Sequence, residues 1–193
     1  MTERLLMLED IIQMTIRDGG TWALSHVQRL LKLMEQIGTD LPHDSEALTL
    51  ATYLHDWGAF SCYALKDVEH AERSRQVAET EILPYMELSP EKKAVILEAI
   101  GLHDYRDPRP TVANEALLLR EADMLEFLGM IGMARDFARG PRDIEACCKR
   151  ILSRRDDIRG RFSLPRARQI AQVRLDRMAQ SLNWLNEETF GIL

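Results

Sequence analysis

The sequence is poor in cysteine and lacks any long apolar run. Its three cysteines, Cys62, Cys147 and Cys148, are an odd number without the spacing of a disulfide framework. No segment approaches the roughly 20 consecutive apolar residues of a membrane span. Charged residues interrupt the N-terminal segment where a signal peptide has its apolar core. We therefore expect reduced thiols, a soluble cytoplasmic protein and no membrane partner.

Basic residues are outnumbered by acidic ones. The chain has 25 lysines and arginines against 31 acidic residues, a formal charge of −6, and this excess of negative charge repels a nucleic-acid backbone at long range. The stretch 149–168 is rich in arginine, but Phe162 is its one aromatic residue, and single strands are bound with more stacking groups than that. We interpret the stretch as a solvated helix face and loop, and expect no dedicated nucleic-acid binding.

The hydrophobic pattern is helical along almost the whole chain. Apolar residues recur at spacings of three and four, as at Leu30, Met34 and Ile37, which is typical of an amphipathic helix, and the alternation of a half-buried strand is missing. Glycine, proline and capping residues predict helices at about 4–17, 21–37, 45–56, 68–83, 90–103, 114–138, 142–157 and 165–187. We expect an all-α fold, a single domain over residues 1–193 with seven or eight helices.

Histidine and acidic residues share the predicted helices and their ends. Six of them lie in positions from which they can project into a helical bundle: His26, His55, Asp56, His70, His103 and Asp123. Imidazole and carboxylate groups that project inward from several helices form metal sites in such bundles. Nitrogen and oxygen ligands without thiolate suit iron, manganese, nickel or zinc. Any one histidine alone is more commonly a hydrogen-bonded core residue or a surface residue.

The order and context of these residues resemble the HD superfamily of metal-dependent phosphohydrolases. The run TYLHDWG, residues 52–58, contains the adjacent His-Asp pair. The upstream histidine of the family corresponds to His26 in ALSHVQRL, and its late aspartate to Asp123 in LREADMLE. The resemblance is strongest over 20–138 and implies an HD-type helical bundle, with 141–193 as C-terminal helices that pack on it. It implies a metal site built from His26, His55, Asp56 and Asp123.

Two further histidines match the dinuclear branch of that superfamily. His70 and His103 occupy the positions of its extra ligands, so the resemblance implies a second ion held by His70, His103 and a bridging Asp56. In mononuclear members such histidines face the substrate instead, and both arrangements stay open. The implied cofactor is one or two divalent transition-metal ions, iron or manganese first, with nickel, zinc, cobalt and magnesium as alternatives.

The resemblance implies a hydrolase that acts on a small phosphorylated compound, a nucleotide or a related phosphoester. Asp56 is the expected catalytic residue, with Arg73 and Arg106 as cations for the phosphoryl oxygens, since a planar guanidinium grips two such oxygens. Arg73 lies one helical turn after His70, and Arg106 follows His103 in a proline-containing loop. Two alternatives remain, a di-iron HD-type oxygenase and a nucleotide-sensing HD domain without catalysis. Apolar faces on the first or last helix are compatible with a homodimer.

Overall fold

The computed structural model describes residues 5–140 and 143–192. Over these ranges the chain forms eight α-helices and no strand, which confirms the all-α prediction. The helices are α1 (Leu8–Ile37), α2 (Ser45–Leu54), α3 (His70–Val77), α4 (Pro90–Gly101), α5 (Asn114–Glu126), α6 (Gly129–Arg139), α7 (Ile144–Ile158) and α8 (Pro165–Glu188). None of these described helices has the length and hydropathy that crossing a membrane requires.

The chain divides into two compact units, Met1–Arg120 and Glu121–Leu193. In the first unit α2 packs against both α1 and α4, and α3 packs against α4. In the second unit α6 packs against α7 and α8, around a small core of Met133, Ile151 and Met178. The single domain over 1–193 stays a prediction.

Two of the predicted helix starts have a side-chain cap. The Asp44 carboxylate accepts hydrogen bonds from the backbone N–H groups of Glu46 and Ala47 at the start of α2. The Ser89 hydroxyl accepts from the N–H of Lys92, and Pro90 occupies the first position of α4. Each cap satisfies amide groups that have no partner within the helix, which explains why local sequence located both starts.

The first two predicted helices are one helix with a kink. Gly20 has φ 70° and ψ −170° inside α1, a conformation that glycine adopts without a steric penalty. Gly19 beside it has a packing role, because a Cβ atom there would come within 2.3 Å of the Phe60 ring. The predicted break is therefore a change of direction within α1.

Two other boundaries differ from the prediction. The helix expected over 114–138 is divided, because Leu128 is extended and Gly129 has φ 71° between α5 and α6. The helix expected over 68–83 is α-helical only to Val77, and continues as a wide π turn and a short 3-10 turn. Pro84 lies in that last turn and has no N–H to continue the α-helical bonding.

Candidate metal centre

The His55-Asp56 pair follows the last residue of α2. α2 ends at Leu54, and Asp56 has φ −103° and ψ 5°, outside helical geometry. Adjacent positions within a helix point about 100° apart, so two neighbours face one site more easily at a helix end. The next turn is held against α3, because the N–H of Gly58 donates to the Ser74 hydroxyl at 2.8 Å.

Gly58 allows this turn to approach the start of α3 closely. A Cβ atom at residue 58 would lie 2.3 Å from the carbonyl oxygen of His70, so only glycine fits. On the other side, the buried Trp57 donates from Nε1 to the Thr15 hydroxyl on α1 at 3.0 Å. The residues around the His-Asp pair thus bring α1, α2 and α3 to one place.

Four imidazoles surround the Asp56 carboxylate. Oδ2 lies 3.8 Å from Nε2 of His26 and 3.4 Å from Nε2 of His55. Oδ1 lies 3.7 Å from Nε2 of His70 and 3.8 Å from Nε2 of His103. All four distances exceed the 2.7–3.2 Å typical of a hydrogen bond. Each carboxylate oxygen therefore faces its own pair of imidazole nitrogens at more than the usual hydrogen-bond distance.

Backbone carbonyls set the orientation of two of these rings. Nδ1 of His55 lies 2.7 Å from the carbonyl oxygen of Thr52, and Nδ1 of His103 lies 2.7 Å from that of Ile100. A carbonyl oxygen can only accept, so Nδ1 carries the proton, and in the neutral ring Nε2 keeps its lone pair. This is the arrangement by which metal-binding histidines are commonly held.

The donor set fits a divalent metal ion. Nε2 of His55 is buried and has no hydrogen-bond partner among the residues that the structure describes. His55, Asp56 and His103 each offer a ligand atom within 4.8 Å of the others. Nε2 of His70 lies 3.1 Å from Nε2 of His103, and two nitrogens that each stand about 2.1 Å from one ion lie roughly 3 Å apart when adjacent in its coordination shell.

The electrostatics keep Asp56 ionised. Burial by itself raises the pKa of Asp56, but the positive charge that the imidazoles of His55, His26 and His103 carry when protonated outweighs it and holds that pKa well below its usual value. Asp104, beside His103, behaves similarly. Burial raises its pKa, and hydrogen bonds from Arg106 outweigh this and lower it. Both aspartates are therefore anions at neutral pH.

The sequence did not identify Asp104 as a partner of this site. Its Oδ2 lies 3.9 Å from Nδ1 of His70, the ring nitrogen that faces away from Asp56. The signal that could have found it is the His103-Asp104 dipeptide, a further His-Asp pair in the sequence. His70 therefore has a carboxylate near its outer nitrogen, where His55 and His103 have a backbone carbonyl.

The remaining predicted residues lie as follows. Asp123 is buried on α5, and its role as a ligand stays a prediction. Arg73 donates from Nε to the carbonyl oxygen of Tyr63 at 2.7 Å, and its Nη2 lies 3.7 Å from Glu81. Arg106 binds Asp104 through Nε at 3.0 Å. The protein itself uses part of both guanidinium groups, and their contact with substrate stays a prediction.

The fold and this centre define an all-α protein with a His-Asp site suited to a divalent metal. The sequence model of the HD domain family matches residues 23–128, more than half of the chain. The chain therefore belongs to the HD domain family, as the resemblance predicted.

Solved structures of HD proteins share the fold. A predicted HD superfamily hydrolase from an uncultured Thermotogales bacterium is 23% identical, with a TM-score of 0.65 over 97% of this chain and 95% of its own. An HD-superfamily hydrolase from Bacillus thuringiensis is 21% identical, with a TM-score of 0.63 over 94% and 96%. YpgQ of Bacillus subtilis, solved in complex with ADP, is 20% identical, with a TM-score of 0.65 over 93% and 96%. A search of curated proteins gives no match.

Proposed function

We propose that the chain is a metal-dependent phosphohydrolase that acts on a small phosphorylated compound, a nucleotide or a related phosphoester. The observation that carries this proposal is the Asp56 carboxylate, whose two oxygens face four Nε2 atoms at 3.4–3.8 Å. Neighbours in fold that are named as HD superfamily hydrolases support the reaction class. The ADP complex of YpgQ supports a nucleotide.

The pairing of imidazoles favours two ions over one. We propose His26, His55, Asp56 and Asp123 as ligands of the first ion, with Asp123 taken from the order of residues in the family. We propose Asp56, His70 and His103 for the second. Nitrogen and oxygen donors favour iron or manganese, with nickel, zinc, cobalt and magnesium as alternatives. A bound divalent ion lowers the pKa of a coordinated water towards neutrality and shares the charge of the phosphoryl oxygens.

The chain's own residues define the side from which substrate enters. His26, His55 and His103 are at most 2% exposed, whereas the side chains of His70 and Asp56 are 27% and 20% exposed. The phosphoryl group therefore reaches the centre past His70, and the buried histidines exclude water from the opposite side. Exclusion of water strengthens the interaction of Asp56 with bound cations.

Arg73 and Arg106 are the cations that we propose for the phosphoryl oxygens. Arg106 lies beside Asp104, which is close to His70, and Arg73 lies one turn after His70 on α3. To bind phosphate, each guanidinium must give up part of its contact with Asp104 or Glu81. A phosphoryl group carries more negative charge than one carboxylate and competes for these donors.

Metal content and phosphate release test this proposal together. We expect about two equivalents of metal in the purified chain, and about one in His70→Gln or His103→Gln. His43→Gln is the matched control, because His43 is exposed and its Nδ1 contacts the carbonyl oxygen of Leu41. One equivalent that neither substitution changes would establish a mononuclear site. Absence of phosphate release from nucleotides and other phosphoesters with each of the metals named above would exclude the phosphohydrolase.

The same geometry supports a second candidate, a di-iron oxygenase. The arrangement of two imidazole pairs around one carboxylate contains only nitrogen and oxygen donors, and such sites bind iron. Consumption of oxygen by the iron-loaded chain, without phosphate release, would favour this candidate. Phosphate release by the manganese-loaded chain under anaerobic conditions would exclude it as the main activity.

A further inference from the structure

A cavity of about 470 Å³ opens beside His70 in the first unit. Its walls are the start of α3, Gly101 at the end of α4, and the loop 104–111 that follows α4, which we call the proline loop. Six charged side chains line it: Glu69, Glu72, Asp104, Arg106, Asp107 and Arg109. Asp104 lies 3.9 Å from His70. Asp104 therefore lines the cavity and also lies next to His70, a proposed ligand of the metal centre.

The proline loop contains the same structural unit twice. In Asp104-Tyr105-Arg106, the arginine N–H donates to the aspartate at 2.9 Å, and Nε donates to both carboxylate oxygens at 3.0 and 3.1 Å. In Asp107-Pro108-Arg109 the corresponding distances are 2.9, 3.0 and 3.0 Å. These bonds use donors that lie in the guanidinium planes. The flat faces remain for other contacts, and arginine faces stack on aromatic rings.

The charge of the lining decides which part of a substrate fits. Four carboxylates and two guanidinium groups line the cavity, a formal charge of −2. Arg106, beside Asp104 and His70, is the cation proposed for the phosphoryl group. The rest of the lining, four carboxylates and Arg109, repels a phosphate, whereas a neutral group with N–H donors is attracted to carboxylate oxygens. The volume lies within the range of about 300–1,000 Å³ for small-molecule pockets. A neutral, planar ring with an amino group fits the volume of the cavity, the negative charge of its lining and the flat faces of its arginines.

We propose that this cavity binds the base of the nucleotide substrate, and that the face of Arg109 stacks on it. The inference rests on the proposed function and adds the base to it. Amino-substituted bases, adenine, guanine and cytosine, are preferred over uracil and thymine, because the carboxylates accept from exocyclic amino groups and repel carbonyl oxygens. The phosphate end lies at the metal centre. Arg109 also donates to the Gly101 carbonyl oxygen at 3.4 Å, which directs its guanidinium towards the cavity wall.

Calorimetric titration of the manganese-loaded full chain tests the inference. We expect adenosine monophosphate to bind more tightly than uridine monophosphate or ribose 5-phosphate. In Arg109→Met we expect affinity for adenosine monophosphate to fall about tenfold, with affinity for ribose 5-phosphate unchanged. Arg109→Lys keeps the charge and loses the plane, so it should behave like the methionine variant. The control is Arg17→Met, because Arg17 forms a similar two-bond pair with Asp18 outside the cavity.

Adenosine without phosphate separates this inference from the proposed function. If adenosine binds, Arg109→Met weakens it and no phosphoester is hydrolysed, the cavity assignment stands and the proposed function fails. If phosphate is released but Arg109→Met and Arg17→Met bind adenosine monophosphate equally well, the cavity assignment is overturned. Equal affinity for adenosine monophosphate and ribose 5-phosphate overturns it too. Thermal unfolding of each variant verifies its fold, and Arg109 is 63% exposed, so its loss removes little packing.

Discussion

Asp56 in the first unit and Asp136 in the second meet their basic neighbours in opposite ways. Asp136 is buried on α6 and accepts hydrogen bonds from Nε of Arg150 at 2.9 Å and Nη1 of Arg154 at 2.7 Å. Asp56 has four imidazole nitrogens around it, and the nearest is 3.4 Å away. A carboxylate whose oxygens are saturated by hydrogen bonds from the protein is structural, whereas one whose neighbouring imidazole nitrogens lie beyond hydrogen-bond distance is arranged for a ligand.

The comparison also revises one interpretation of the sequence. The arginine-rich stretch 149–168 was expected to be a solvated helix face and loop. Arg154 departs from this, because it binds Asp136, its side chain is 18% exposed, and its guanidinium lies over the Phe127 ring at 4.8 Å. Part of the positive charge in this stretch therefore compensates a buried carboxylate within the second unit.

The largest effect that we expect is the loss of phosphate release in Asp56→Asn. The substitution keeps the shape and removes the charge on which both imidazole pairs converge. We expect kcat to fall at least about a thousandfold, equivalent to roughly 4 kcal/mol of activation free energy, with helical content by circular dichroism unchanged. Steady-state phosphate release measures the effect.

Asp136→Asn is the matched control for that measurement. It removes the charge of a buried carboxylate in the second unit and leaves the four imidazoles in place. Normal turnover in Asp56→Asn, or an equal loss in Asp136→Asn at a temperature where both variants are folded, would contradict the functional distinction between the two aspartates.

The second prediction concerns Asp136 and the stability of the fold. In Asp136→Ala, two arginines lose the carboxylate that they bind, and we expect the free energy of unfolding to fall by about 2–3 kcal/mol. The value is below the 3–5 kcal/mol typical of a fully buried pair, because Arg150 is about one-third exposed. Denaturant unfolding measures it, and metal content should not change.

Asp156→Ala is the control for the stability measurement. Asp156 on α7 pairs with Arg155 and with Arg159, the residue after the helix, but its side chain is 54% exposed. Ion pairs at that exposure contribute little, so the variant should unfold almost as the unchanged chain does. Equal destabilisation by Asp136→Ala and Asp156→Ala would show that burial does not distinguish the two sites.

The sequence predicted a structural feature well where the two interacting residues lie close together in the chain and depend on no other contact. The Ser89 and Asp44 caps act within three residues, and local sequence therefore located α4 and α2. The break before α6 was missed, although Gly129 and Gly132 were visible. A Cβ atom at residue 132 would lie 2.1 Å from the Phe127 carbonyl oxygen, and that contact exists only once the chain has turned.

In the candidate site, too, the sequence identified the main residues but not the contacts that support them. His26, His55, Asp56, His70 and His103 were named from their order and context, and the structure brings these five together. Their supporting contacts were not named. The bond from Arg73 to the Tyr63 carbonyl oxygen spans ten residues and depends on the turn after Gly58. No periodicity or motif encodes such a contact.

The smallest effect that we expect concerns Asp104, which shares features of both aspartates. Like Asp136 it binds an arginine, and like Asp56 it lies near an imidazole, the outer nitrogen of His70. Loss of such a supporting carboxylate typically lowers metal affinity 10- to 100-fold. Because the 3.9 Å separation is long for a hydrogen bond, we expect about tenfold for Asp104→Asn. Competition with a chelator measures the affinity for the more weakly bound ion.

Asp107→Asn distinguishes the histidine contact from the ion pair. Asp107 forms the same bonds to Arg109 that Asp104 forms to Arg106, and both aspartates line the same cavity. Of these two aspartates, only Asp104 lies next to His70. If both variants lose metal affinity equally, the effect belongs to the proline loop as a whole. If Asp104→Asn alone loses affinity, a carboxylate that is paired with an arginine can also support a metal ligand. Pairing with arginine alone would then not distinguish a structural aspartate such as Asp136 from a functional one such as Asp56.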